Sequence, residues 1–352
     1  MTATSITPVT LLTGFLGSGK TTLLNAILQQ PGIEETAVLI NEYGAIAIDH
    51  LLVRATSENI NVMQNGCICC SVAGDMVQAL RDLYFKRANN EVPAFKRVII
   101  ETTGLADPAP IMHTLIEMPL VAARYSLSGI VTTVDAEHGE ATLDRHMESV
   151  KQAAVADRIV MTKTDLVSSA KLAALQSRLT ALNPGAPQFV GVSGEINPAV
   201  LFDTGLYQPA SKSIDVNKWL AAEAYRPIDA RSSFFAPQKH ISRHDDRIRA
   251  FVVCIDEPVV WRDLVDALET LVAMRGDGLL RIKGIVHVAG ENQPRAIHAV
   301  QHTLYPVAQL PAWQDDDHRT RIVFITRDLD EKFIRDTLAS FLHQSAADRA
   351  AA

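Results

Sequence analysis

Short apolar segments rich in β-branched residues alternate with helical patterns through the first half of the chain. Strands are predicted for the apolar runs at residues 9–13, 37–40, 60–63, 98–100, 130–134, 159–161 and 189–192. Apolar residues recur with helical spacing in stretches between several of them, at residues 21–30, 72–87, 144–156 and 169–182. This alternation predicts an α/β domain in which crossover helices join the strands of a mostly parallel sheet.

The pattern changes after about residue 200. Residues 206–246 lose the regular rhythm and carry prolines among Ser, Asp and Arg, so we interpret them as a connection between two domains. Beyond it, the pattern predicts strands at 249–255, 280–288, 296–304 and 321–326, with helices at 261–275 and 331–342. This grouping is typical of a smaller α+β domain. The predicted domains are therefore residues 1–205 and 247–345.

Composition and charge narrow the class of protein. The 352 residues suffice for about two domains, and 47% hydrophobic with 21% charged residues is ordinary for a packed soluble protein. A net charge of -7 leaves no general basic field to hold nucleic acid or an anionic membrane surface. No signal-peptide pattern or run of about 18 apolar residues is present. We therefore expect a cytoplasmic protein that binds neither nucleic acid nor membrane.

One segment carries a complete phosphate-binding pattern. GFLGSGKTT at residues 14–22 follows the first predicted strand and fits G-x-x-x-x-G-K-[ST] at the start of a predicted helix. Glycines let backbone amides approach phosphate oxygens closely, and the helix N-terminus adds partial positive charge. We expect Lys20 to reach the β and γ phosphates and Thr21 to bind Mg²⁺. The predicted nucleotide-binding residues here are Gly14, Gly17, Ser18, Gly19, Lys20, Thr21 and Thr22.

A second motif indicates which base is bound. The strand at 159–161 leads into TKTD at residues 162–165, the [NT]-K-x-D layout of guanine-selective P-loop proteins. Asp165 can accept hydrogen bonds from guanine N1–H and the exocyclic amine, a pair that adenine lacks, and the stem of Lys163 can cover the base. Thr162 stands where Asn is commoner. This difference should weaken one hydrogen bond to the base edge or the loop without abolishing selectivity for guanine. GTP is therefore the predicted nucleotide, with GDP as product.

An acidic strand end completes the predicted catalytic set of Lys20, Glu101 and Gly104. In ETTGLADP at residues 101–108, Glu101 closes a strand three residues before Gly104, which is the Walker B and switch II layout. We expect Glu101 to bind Mg²⁺ through water and the Gly104 amide to sense the γ-phosphate. Leu105 occupies the position where Ras-like enzymes keep a water-orienting Gln, so slow intrinsic hydrolysis is predicted. Asp135, after the strand at 130–134, is interpreted as a structural acid.

Three of the four cysteines are crowded together as Cys67, Cys69 and Cys70. Such close spacing is a poor framework for structural disulfides, whereas three thiolates suit Zn²⁺ or Cu(I). Three ligands leave a fourth coordination position open, which a metal carrier requires. On the residues alone, a redox pair, buried inert thiols and a nucleophile are the alternatives, the last without a His and an acid nearby in sequence.

Together, the motifs resemble the CobW-like P-loop GTPases, metal-handling proteins related to the nickel-insertion GTPases. The resemblance covers nearly the whole chain. GFLGSGKTT, INEYG, NGCICC, ETTGLADP and TKTD occur in order in the first half, while LRIKGI at 280–285, Trp313 and RIVFI at 321–325 resemble the family's C-terminal domain. It implies that Glu42 of INEYG is either the fourth ligand of the cysteine site or an acid linked to Mg²⁺.

The resemblance also implies a function. It suggests a GTP-hydrolysing metallochaperone that binds Zn²⁺, or Co²⁺ since thiolates accept both, and delivers it to a client metalloprotein recognised by the smaller domain. The alternative is a GTP-dependent regulatory switch with a structural zinc site. A small-molecule kinase is disfavoured by Lys163 and Asp165. The sequence leaves the oligomeric state open, and a homodimer is among the states that it allows.

Overall fold

The chain folds around two separate β-sheets, each with its own hydrophobic core. The computed structural model describes residues 6–40, 51–53, 72–192, 196–202, 247–313 and 316–350. Among these residues, one compact unit lies within 6–177 and 186–202, and the other lies within 178–185 and 247–350. Within these described ranges, none of the helices combines the length and apolar composition that a membrane span requires.

The first sheet contains seven strands in the order β3-β2-β4-β1-β5-β6-β7. Its strands are β1 (Thr7–Gly14), β2 (Thr36–Ile40), β3 (Leu51–Val53), β4 (Arg97–Glu101), β5 (Tyr125–Asp135), β6 (Arg158–Thr162) and β7 (Gln188–Gly191). Six of them are parallel, and the edge strand β3 pairs antiparallel with β2. The mostly parallel sheet predicted from the sequence is therefore confirmed. The predicted strand at residues 60–63 lies outside the described residues.

Helices cover both faces of this sheet because its central strands are apolar on both sides. They are α1 (Lys20–Leu28), α2 (Val72–Ala88), α3 (Ala109–Glu117), α4 (Pro119–Ala122), α5 (Gly139–Arg145), α6 (Met147–Val155), α7 (Ser169–Leu182) and α8 (Pro198–Phe202). On one face, Leu23 of α1 packs in a buried cluster with Leu12 of β1 and Leu201 of α8. Neighbouring strand residues such as Leu11 point to the other face and are also fully buried.

Two local differences separate the predicted helices from the observed ones. The helical pattern predicted at 144–156 is interrupted at His146, whose backbone is extended (φ -126°, ψ 110°), so α5 ends before it and α6 begins after it. The sequence pattern also did not predict α3. Its start is marked by Pro108 and by Asp107, whose Oδ1 accepts a hydrogen bond from the Ala109 amide at 3.1 Å. This short apolar helix covers the sheet directly after β4.

The second sheet is antiparallel and belongs to the smaller unit. It comprises β8 (Ile248–Ile255), β9 (Leu279–Val286), β10 (Arg295–Val300), β11 (Thr303–Leu304), β12 (Ala308–Gln309) and β13 (Thr320–Arg327), in the order β11-β10-β9-β13-β8 with β12 beside β10. Helices α9 (Trp261–Arg275) and α10 (Glu331–Ala350) share one core with it. Phe324 of β13, Leu268 of α9 and Ile334 of α10 belong to that core. The predicted α+β class is confirmed.

One predicted strand of this unit was wrong in extent. The run at 296–304 is not a single strand, because β10 ends at Val300 and the chain reverses so that β11 pairs antiparallel with it. Gln301 makes the reversal with a left-handed backbone (φ 49°), and His302 lies in the same turn. A tight turn without Gly, Pro or Asn leaves little trace in the sequence pattern.

Candidate functional site

The phosphate-binding pattern forms the loop between β1 and α1, at the carboxyl end of a central strand. Gly14 has a φ of 140°, and a Cβ atom there would lie 2.3 Å from Thr133 Oγ1 and 2.5 Å from its carbonyl oxygen. Only glycine can therefore begin this loop. Gly17 and Gly19 also have positive φ. The observed strand, loop and helix agree with the context that the sequence predicted.

Buried hydroxyl groups hold this loop against the neighbouring strands. Ser18 Oγ lies 2.6 Å from Thr133 Oγ1 of β5, and Thr162 Oγ1 of β6 donates to the Ser18 carbonyl at 2.7 Å. Thr162 thus makes a hydrogen bond to the phosphate loop, so the Asn-to-Thr difference in TKTD does not remove that support. The bonds are buried, where an unpaired hydroxyl would be costly, and they fix the conformation of the loop.

The charged residues of the motif converge at the start of α1. Lys20 is 8% exposed, and its Nζ donates to the carbonyl oxygens of Gly14 at 2.8 Å and Phe15 at 3.1 Å. Thr21 Oγ1 donates to Glu101 Oε1 at 2.6 Å, which brings the two predicted Mg²⁺ residues together from β4 and α1. A hydroxyl beside a buried carboxylate is an oxygen donor set that fits Mg²⁺.

The loop after β4 packs directly on the phosphate loop. A Cβ atom on Gly104 would lie 2.5 Å from the Leu16 backbone nitrogen, so a larger residue could not approach so closely. The Thr103 hydroxyl is buried without a hydrogen-bond partner among the described residues. Leu105 is 53% exposed and carries no polar group, in agreement with the absence of a water-orienting side chain at this position.

In the turn after β6, beside the phosphate loop, Lys163 is held by Asp135. Lys163 has a left-handed backbone (φ 54°), and its Nζ lies 2.7 Å from Asp135 Oδ2. Asp135 Oδ1 also accepts a hydrogen bond from the Glu137 amide at 2.7 Å, as expected for a structural acid. Asp165 is exposed in the 3₁₀ turn Thr164–Leu166, so its carboxylate is open to a ligand. The structure places Lys163 beside a cavity of about 200 Å³ that the phosphate loop also lines.

The charge of Asp135 depends on these partners. Burial alone would raise its pKa, but hydrogen bonds from Lys163 and from the turn after β5 outweigh burial and hold the pKa of Asp135 below its ordinary value. A depressed pKa means that the ion pair is present at neutral pH and is lost only as the pH falls through that lowered value. Asp135 therefore holds the ammonium of Lys163 in place throughout the physiological range.

We expect Asp135→Asn to weaken GDP binding about threefold to tenfold, because Lys163 loses its charged partner while the amide oxygen can still accept from the turn. Fluorescence titration with a labelled GDP measures the change. Glu137→Gln, in the same turn, is the matched control and should bind GDP like the unmodified protein. An Asp135→Asn protein with unaltered GDP affinity would contradict a role for Asp135 in placing Lys163.

One further cluster brings possible metal ligands together. Asp135, Glu137 and His138 bring ligand atoms within 4.8 Å of one another. The Lys163 ammonium already binds Asp135 Oδ2, and its positive charge opposes a cation there. Glu42, Cys67, Cys69 and Cys70 lie outside the described residues, so the predicted metal ligands stay predictions.

Sequence reasoning missed one buried polar residue near the nucleotide site. Gln152 of α6 is 0% exposed and contacts the loop after β4. Its only sequence signal is an amide in an otherwise apolar helix face between Ser149 and Val155.

The phosphate loop, the acidic end of β4 and the TKTD turn lie at the carboxyl ends of β1, β4 and β6, which are parallel strands of one sheet, and together they define a P-loop GTPase. A family profile described as "CobW/HypB/UreG, nucleotide-binding domain" matches residues 8–190, and a second, "Cobalamin synthesis protein cobW C-terminal domain", matches residues 248–342. The chain therefore belongs to the CobW/HypB/UreG family, as its motifs suggested.

Similar proteins span both units. The chain is 34% identical over 331 residues to the zinc chaperone YjiA of Escherichia coli, covering 94% of this chain and 97% of that protein. It is 27% identical to the zinc-regulated GTPase metalloprotein activator 1 of Saccharomyces cerevisiae, covering 95% and 83% of the two chains. The crystal structure of Zn(II)-bound YjiA GTPase from E. coli superposes with a TM-score of 0.71 at 32% identity, covering 96% of this chain and 99% of that one.

Proposed function

We propose that this protein is a zinc metallochaperone that uses GTP binding and hydrolysis to control the binding and release of Zn²⁺ to a client metalloprotein. The observation that carries the proposal is the contact between Thr21 and Glu101 at the phosphate end of the site. Ile40, which ends β2, is in register with Glu101, and Glu42 follows two residues later in the sequence. A change at the phosphate site would thus act on β2, the strand that precedes a proposed metal ligand in the sequence.

The proposed nucleotide site uses the residues predicted from sequence. Lys20 contacts the β and γ phosphates, Gly104 senses the γ-phosphate, and Asp165 with Lys163 selects guanine. Thr21 and Glu101 hold Mg²⁺, which neutralises charge on the phosphate oxygens when bound. The phosphate loop orients the phosphates. The side chain at position 105 is a leucine, which has no polar group to orient water, so we propose slow intrinsic hydrolysis.

The proposed cargo site comprises Cys67, Cys69, Cys70 and Glu42. Zn²⁺ is favoured over Co²⁺ because similar proteins are named zinc chaperone and zinc-regulated activator. Helix α2 begins at Val72, two residues after Cys70. Three thiolates and one carboxylate would complete a four-coordinate site in which the single oxygen ligand is the easiest to exchange.

We expect zinc affinity to differ about tenfold between the GDP state and the state with a non-hydrolysable GTP analogue, which is a coupling free energy of about 1.4 kcal/mol. Competition against a chromophoric zinc chelator measures the affinity in each state. By linkage, Zn²⁺ should alter the relative affinity for the two nucleotides by the same factor. Equal zinc affinity with GDP and with the analogue would contradict the proposed control of zinc binding by the nucleotide.

Cysteine variants separate a carrier from a structural zinc site. Cys67→Ser, Cys69→Ser and Cys70→Ser should each reduce bound zinc, while Cys254→Ser, at an exposed position on β8, is the matched control. In a carrier, the melting temperature stays nearly unchanged when zinc is lost. A large drop in melting temperature with metal removal would instead favour the regulatory switch with structural zinc.

The smaller unit is the proposed client-binding module. We propose that residues 247–345 form this domain and that residues 206–246 connect it to the GTPase domain of residues 1–205. Changes in the loops of the smaller domain could then alter which client is bound without affecting the nucleotide site.

A further inference from the structure

Gln152 is a completely buried amide that binds the loop after β4. Its Nε2 donates to the carbonyl oxygens of Gly104 at 3.2 Å and Ala106 at 3.0 Å. These two residues flank Leu105, so one side chain fixes the backbone on both sides of the position next to the predicted γ-phosphate sensor. Backbone carbonyls that accept buried hydrogen bonds lose much of their freedom to rotate.

The neighbouring residue on α6 extends the same attachment. Lys151 Nζ lies 2.8 Å from Asp107 Oδ2, and the two side chains are 24% and 27% exposed. Asp107 in turn accepts the hydrogen bond that begins α3. Two consecutive residues of α6 therefore bind residues 104, 106 and 107, three of the seven residues between β4 and α3.

The phosphate loop confines the same segment from another side. Gly104 packs against the Leu16 backbone, and Phe15 stacks on His146 with ring centroids 4.5 Å apart. His146 directly precedes α6. Phosphate loop, α6 and the Gly104 loop thus form one packed unit, in which the position of the Gly104 backbone depends on α6.

The contacts of Gln152 with the loop are made by its donors. The N–H groups of its amide are directed at the carbonyl oxygens of Gly104 and Ala106. An apolar side chain of similar length would fill the same space but would leave both carbonyls without these hydrogen bonds.

We propose that Gln152 is a positioning residue that fixes the Gly104 amide for recognition of the γ-phosphate. Lys151 assists by holding Asp107 of the same loop. The role of Gln152 rests on the proposed part of Gly104 in sensing the γ-phosphate. Gln152 acts through the Gly104 backbone, so it contributes to the preference for GTP over GDP and to hydrolysis. Binding of the base and of the α and β phosphates depends on other residues and is independent of it.

Gln152→Met tests the proposal because methionine keeps the volume of the side chain and removes both donors. We expect the Kd for a non-hydrolysable GTP analogue to rise about tenfold and the Kd for GDP to change less than about twofold, with two hydrogen bonds at stake. Isothermal titration with each nucleotide in Mg²⁺ buffer measures both constants. Lys151→Met should shift the same ratio in the same direction by about threefold.

Gln188→Met, in β7, is the matched control. It makes the same substitution at a glutamine whose Nε2 donates to the Gln176 carbonyl at 3.1 Å and touches no residue of the Gly104 loop, so its nucleotide ratio should stay unchanged. Equal weakening of both nucleotides in Gln152→Met, or an unaltered ratio, would overturn the proposal. If Gln152→Met does not fold, the ratio in Lys151→Met decides, because that ion pair is partly exposed.

Discussion

Replacing Lys20 by alanine is expected to reduce kcat/KM for GTP hydrolysis by about 10²–10³-fold. The ammonium is already held at the phosphate end of the loop by the carbonyls of Gly14 and Phe15, so it needs only a short displacement to meet a phosphate oxygen. Removing one fixed charge that stabilises the transferring phosphoryl group typically has an effect of this size. Steady-state phosphate release measured against GTP concentration gives the value.

Lys96→Ala is the control for the loss of a lysine as such. Lys96 pairs with Glu35 on the surface and has an exposed side chain, so its removal should leave hydrolysis unchanged. Turnover of the Lys20→Ala protein at a rate close to that of the unmodified protein would show that the phosphate loop is not the site of hydrolysis.

Asp165→Asn is expected to weaken GTP binding about 10²–10³-fold and to improve binding of xanthosine triphosphate. Guanine presents N1–H and an amine to the carboxylate, whereas xanthine has a carbonyl oxygen at the position of the amine, to which an asparagine amide can donate. Losing two charge-assisted hydrogen bonds accounts for the first effect. Competition of each triphosphate against a fluorescent guanine nucleotide measures the reversal.

The exposure of Asp165 makes this experiment easy to interpret, because the substitution removes no packing in the described structure. Leu166→Ser, at the next position, which is also exposed, controls for disturbance of the 3₁₀ turn. A variant that still prefers GTP by the original margin would place guanine recognition elsewhere.

Much of the GTPase unit could be predicted because its signals are local. GFLGSGKTT places glycines, which allow positive φ angles, beside the lysine and threonine that bind phosphate and Mg²⁺, all within nine consecutive residues. The positive φ of Gly14 agrees with this pattern. The apolar runs of β1, β4, β5 and β6 are short and clear, and parallel strands bring their ends to one edge. Glu101 and Thr21 meet for that reason, although 80 residues separate them in sequence.

What could not be predicted depends on contacts between distant segments. The bond between Gln152 and the Gly104 loop requires α6 to cross that loop, and no pattern within either segment specifies the crossing. The break at His146 is equally hidden, since its apolar neighbours continue the helical period and its ring is placed by stacking on Phe15. The hairpin at Gln301 was missed because its turn uses residues without a strong turn preference.

The placement of Lys20 has a further consequence for the energetics of nucleotide binding. Its ammonium donates to two carbonyls of its own loop, so a phosphate oxygen would have to compete with the backbone for the same N–H groups. Nucleotide binding is then an exchange of acceptors around one nitrogen, and the net gain from the contact between Lys20 and phosphate is smaller than the strength of that contact alone.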